Sequence, residues 1–109
     1  MTPKEIEQII SQIPDLRFQF LIRIQFHLGT DSPEQFFRLK KSEFDKSIRK
    51  SKGAEKIIQG YSDLFNNNSN SGFLLEQESV RDAVSRMENI LETVHLDGKQ
   101  VRWSEIRKS

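Results

Sequence analysis

Between Leu16 and Leu28 the chain reads LRFQFLIRIQFHL, and eight of those thirteen residues are apolar. It is the longest apolar-rich segment in the sequence, so any core has to be built around it. Its pattern favours a strand at first sight. Phe18, Phe20, Ile22, Ile24, Phe26 and Leu28 alternate with Arg17, Gln19, Arg23, Gln25 and His27, and Leu21 is the one break in the period of two. Two features argue for a helix instead. Gly29 stands where a helix takes a left-handed C-terminal residue, with a new helix-start signal directly after it, and a central buried helix is apolar on most sides. We therefore read 16–28 as a helix. The alternative is a strand that pairs with a C-terminal hairpin, which turns the fold into α+β with a three-stranded sheet. The five polar side chains exclude a membrane span here.

The remaining helix signals are local. Thr2-Pro3-Lys4-Glu5 has the form of a capping box with proline at the first helical position, and Ile6, Ile9, Ile10 and Ile13 follow at helical spacing up to Pro14, which predicts a helix over 3–13. Ser32-Pro33-Glu34-Gln35 repeats that logic for a short helix over 33–39 with Phe36, Phe37 and Leu39 inward. Ser42 and Gly53 bracket a helix through Lys52, with Phe44 and Ile48 inward. Ala54, Ile57, Ile58, Tyr61, Leu64 and Phe65 mark another, and Val80, Ala83, Val84, Met87, Ile90, Leu91 and Val94 a long one over about 76–93. Asp97-Gly98, between Val94-His95-Leu96 and Gln100-Val101-Arg102-Trp103, reads as a tight hairpin turn.

These elements add up to a mainly α fold, a small bundle of five or six helices with a short C-terminal β-hairpin. The whole of 1–109 is expected to form a single helical domain, with 66–72 a flexible Asn/Ser loop and 104–109 a frayed tail. Leu, Ile, Val and Phe make up 32 of the 109 residues, more than a disordered chain carries. A chain this short buries roughly 65% of its unfolded surface, which leaves little room for a deep active site. No small-molecule substrate is expected on that ground.

Chemistry is sparse in the pattern. There is no cysteine, so disulfides, thiolate catalysis and cysteine-based metal sites are excluded. His27 and His95 are far apart and neither is spaced with a second ligand. The twelve serines include no nucleophile elbow, and the five glycines never cluster into a phosphate-binding loop. Glu76, Glu78, Asp82, Glu88 and Glu92 could pair for acid–base work, but they lie on the polar side of an amphipathic helix, where solvation is the default. We expect no enzyme activity, no cofactor and no metal. The start, MTPKEIEQII, lacks the basic and apolar regions of a signal peptide, and the chain reads as soluble and cytoplasmic.

Charge is the informative feature. Residues 38–56 carry eight basic and three acidic side chains, whereas 57–96 carry two and six. On a helix over 43–52, Lys46, Arg49 and Lys50 lie opposite Phe44 and Ile48. With the helix over 33–39 and the turn at Lys40-Lys41-Ser42, the outline resembles a helix-turn-helix, although Phe37 and Lys41 stand where that motif favours a small residue and glycine. Two functions follow. One is a protein-interaction or adaptor module whose basic stretch and acidic stretch 76–92 meet partner proteins or copies of the chain, with some of the phenylalanines as a docking patch. The other is a small nucleic-acid-binding protein. The candidate contacts in both are Lys40, Lys41, Lys46, Arg49, Lys50, Lys52 and Arg102, with Arg107 and Lys108 nearby.

Overall fold

The computed structural model describes residues 1–39, 73–74 and 77–108. Within them the chain is mainly helical and ends in a two-stranded antiparallel hairpin: α1 (Pro3–Ile10), α2 (Leu16–Leu28), α3 (Pro33–Phe37), α4 (Val80–Glu92), β1 (His95–Leu96), β2 (Lys99–Gln100) and a 3-10 turn at Trp103–Glu105. The helices expected over 42–52 and 54–65, and the loop over 66–72, lie outside the described residues.

Residues 16–28 form a helix, so the strand alternative and its three-stranded sheet are set aside. The alternation has a simple physical origin. Helix α2 is central, with Phe18, Phe20, Leu21, Ile22, Ile24 and Phe26 all buried, and its polar side chains are each taken up by a particular partner. Arg17 engages Glu78, Gln19 donates to the Ile13 carbonyl, Arg23 engages Glu7, and Gln25 bonds Thr30. A helix whose polar residues are satisfied one at a time has no need to gather them on one face.

Capping fixes the helix starts. Thr2 accepts from the Glu5 amide at 3.2 Å while its own amide donates to Glu5 Oε1 at 2.9 Å. Asp15 accepts from the amides of Arg17 and Phe18, Ser32 from Gln35, and Ser79 from Asp82. Helix α4 begins at Val80, with the apolar stripe, rather than near 76: Ser79 caps it, and Gln77, two residues earlier, has a positive φ of 66°. Helix α1 stops at Ile10 rather than running on to 13. The turn at Ser11 and Gln12 still buries Ile13.

Gly29 ends α2 with φ of 66° and donates its amide to the Gln25 carbonyl at 2.7 Å. The reversal brings Thr30 back onto the Gln25 side chain. Gln25 Nε2 donates to the Thr30 carbonyl at 2.8 Å, and Gln25 Oε1 accepts from the Thr30 hydroxyl at 2.6 Å. Trp103 Nε1 donates in turn to Thr30 Oγ1 at 3.1 Å. Around this buried chain sits an aromatic cluster. Phe36 stacks on Phe73 at 4.5 Å and meets Trp103 edge-on at 5.2 Å.

The hairpin pairs His95 with Gln100 and Leu96 with Lys99, and its turn residues Asp97 and Gly98 both have positive φ, as a two-residue turn of this hand needs. Gln12 holds it to α1 by donating to the His95 carbonyl at 2.7 Å and accepting from its amide at 2.9 Å. The segment expected to fray after Trp103 carries Ile106, which is fully buried, and the Lys108 amide donates to the Phe26 carbonyl at 2.9 Å.

Arg17 makes a buried, two-pronged ion pair with Glu78, donates to the Phe73 carbonyl at 3.0 Å, and so fastens Phe73 and Glu78 to α2. Both side chains are under a tenth exposed. Removing one partner of such a pair strands a charge, while replacing both with apolar groups is far milder. Glu78→Gln should destabilise the protein by about 3–5 kcal/mol in urea unfolding, and Arg17→Met combined with Glu78→Met should recover most of that loss.

Candidate functional site

Of the seven residues singled out by charge, six lie outside the described residues: Lys40, Lys41, Lys46, Arg49, Lys50 and Lys52. The seventh, Arg102, is exposed at the start of the 3-10 turn, where its carbonyl accepts from the Glu105 amide at 3.0 Å. Its side chain borders a broad, open cleft with Lys99, Gln100 and Glu105. Among the described residues, neither Arg102 nor Lys99 is held in an ion pair. The hairpin therefore offers two cations to solvent side by side.

The other basic residues near it divide. Arg107 is exposed but engaged, donating from Nε to the Ser104 carbonyl at 2.9 Å and reaching Asp31 at 3.5 Å. Lys108 borders a different cleft. Arg38, at the head of the basic stretch, pairs with Glu34 one helical turn earlier at 3.0 Å. It faces Arg81, Val80 and Val84 of α4 across a shallow depression.

The acidic stretch is weaker than its composition implies. Glu78 is withdrawn into the buried pair with Arg17, with Arg86 at 3.7 Å from its second oxygen. Asp82, Glu88 and Glu92 remain exposed on α4 but share that surface with Arg81 and Arg86. The aromatic docking patch is not formed by any described phenylalanine. Phe18, Phe20, Phe26, Phe36, Phe37 and Phe73 are all buried, and Leu16 is the one exposed large apolar side chain among the described residues.

No sequence pattern marks the cleft that Lys108 borders. It has a volume of about 320 Å³ and lies where α1, α2 and the segment after Ile106 meet, with Ile6 and Phe26 at its base and Glu7, Arg23, His27 and Lys108 around it. Arg23 grips Glu7 through both nitrogens, one contact being 3.1 Å, and this pair holds the Glu7 carboxyl below its ordinary value. His27 is half-buried, edge-on to Phe26 at 5.5 Å. Burial, and secondly the Lys108 charge, push its pKa down from the ordinary 6.5. His95, by contrast, is exposed on β1. Among the described residues no group of three or more His, Asp or Glu is placed to hold a metal ion, and no helix is long and apolar enough to cross a membrane.

Comparison of this chain with protein-family models, with curated proteins and with solved structures finds no match.

The state of His27 makes stability depend on pH. As pH falls through 6.5 the unfolded chain takes up a proton that folded His27 resists, so this residue's contribution to stability declines towards acid. Urea midpoints measured from pH 7.5 down to about 5 should fall for the wild type and fall less for His27→Gln.

Proposed function

We propose that the chain is a non-catalytic helical interaction module, an adaptor of the cytoplasm that meets a partner protein through charged faces. Lys40, Lys41, Lys46, Arg49, Lys50 and Lys52 form the principal surface in this reading, with Arg102 as an outlying contact. The reading takes 42–52 and 54–65 as helices, for five or six in all, with Phe44 and Ile48 packed inward and Lys46, Arg49 and Lys50 outward.

One observation carries it. The described aromatic side chains are spent on the core, so the surface that the described residues leave for recognition is largely polar, with Lys99 and Arg102 exposed at and just after the hairpin. A surface of that kind selects partners by charge complementarity, which governs specificity and association rate more than it adds affinity. The same two cations support a second reading, in which the hairpin lies as a wing beside a phosphate-contacting helix over 43–52.

Fluorescence anisotropy separates the two. A labelled glutamate-rich peptide and a labelled random duplex are titrated at about 50 and 200 mM salt with wild type, with the triple variant Lys46→Glu, Arg49→Glu, Lys50→Glu, and with Arg102→Glu. The proposal expects the peptide to bind, the triple variant to lose at least about tenfold with its circular dichroism unchanged, and the duplex to bind more weakly than the peptide. Tight duplex binding with a log–log salt slope of about −5 selects the second reading. Binding of neither probe at micromolar protein overturns both.

A further inference from the structure

We propose that the cleft between α1, α2 and the segment after Ile106 is a binding site for a small organic monoanion, a carboxylate carried on a flat apolar body. The carboxylate sits at Lys108 beside His27, and the apolar part rests on Ile6 and Phe26.

The volume, about 320 Å³, is at the small end of the range that ligand pockets occupy. The cleft is built by three segments that are distant in sequence. Lys108 belongs to it because its backbone amide donates to the Phe26 carbonyl at 2.9 Å, which anchors the main chain from which its side chain reaches the cleft. The base is apolar, with Ile6 and Phe26 both buried and only their edges reaching the cleft.

Charge selects the ligand class. The charged groups facing the cleft are Glu7 from α1, Arg23 from α2 and Lys108 from the last described segment. Glu7 is taken by Arg23, whereas Lys108 has no carboxylate within ion-pairing distance among the described residues. With His27 held neutral near pH 7, the described residues around the cleft carry one positive charge in excess. A single negative charge balances it. A dianion overcharges the site, and an inorganic ion leaves the apolar base unused. A bound carboxylate also offsets the Lys108 charge that disfavours the imidazolium, so occupancy is recorded in the titration of His27.

The probe is sodium benzoate, added to the full chain at constant ionic strength with chloride as the balancing ion and followed by two-dimensional NMR. The expected result is saturating shifts at His27, Lys108, Ile6 and Phe26, a millimolar dissociation constant, and a His27 pKa that rises as benzoate saturates. Lys108→Glu, shown to be folded by its own spectrum, should weaken benzoate at least tenfold. Lys108→Gln should give an intermediate loss, and benzamide should bind less tightly than benzoate. Shifts that never saturate, equal binding of benzamide, or unaltered affinity in a folded Lys108→Glu protein each overturn the proposal.

Discussion

The side-chain amide of Gln25 is completely buried in the last turn of the most apolar helix, and the rest of the described structure depends on keeping it satisfied. An unpaired amide there costs several times what one ordinary hydrogen bond contributes, so its partners are not optional. Thr30 supplies them, and is itself bonded by Trp103. Gly29 turns the chain so that the Thr30 backbone and hydroxyl meet the amide, and Trp103 closes the chain of donors from 73 residues further on. Positive φ is what requires glycine at position 29. A side-chain carbon there would meet its nearest neighbour at an ordinary 3.5 Å.

That polar chain gives the apolar packing its register. Hydrophobic contact alone tolerates sliding, whereas a fully paired donor sequence has one arrangement. Fixing Trp103 against Thr30 places its ring edge-on to Phe36, which stacks on Phe73, and the buried Arg17–Glu78 pair anchors the segment containing Phe73. Ile106 and Lys108 follow from the same attachment. Once Trp103 is held, the next residues run along α2, and the cleft beside His27 opens between them and α1.

Local chemistry made much of the fold readable. Thr2-Pro3, Ser32-Pro33 and Asp97-Gly98 act within four residues of themselves, and each does in the structure what its chemistry dictates. The alternation over 16–28 misleads because it records a helix buried on most sides, with Arg17, Gln19, Arg23 and Gln25 each satisfied by a partner outside the helix that no periodicity reveals. Ile106 was hidden for the same reason. A single apolar residue among polar neighbours shows no periodicity, and its burial follows from where Trp103 is held. The candidate surface was readable only as charge. Composition counts Arg17 and Glu78 with the solvated groups, yet the two are buried against each other and neither reaches the surface. The cleft lined by Ile6, His27 and Lys108 has no sequence signature, since its members come together only through the tertiary structure.

The most direct test of the central role of the Gln25–Thr30–Trp103 chain is native-state hydrogen exchange of the Trp103 indole proton, compared with the backbone amides of α2 and of the hairpin. If the chain holds the structure in register, this proton exchanges only through global unfolding, with the same free energy and denaturant dependence as the slowest α2 amides. Exchange as fast as that of the exposed hairpin amides, insensitive to denaturant, would show that Trp103 detaches while the helices stay packed, and the account would be wrong.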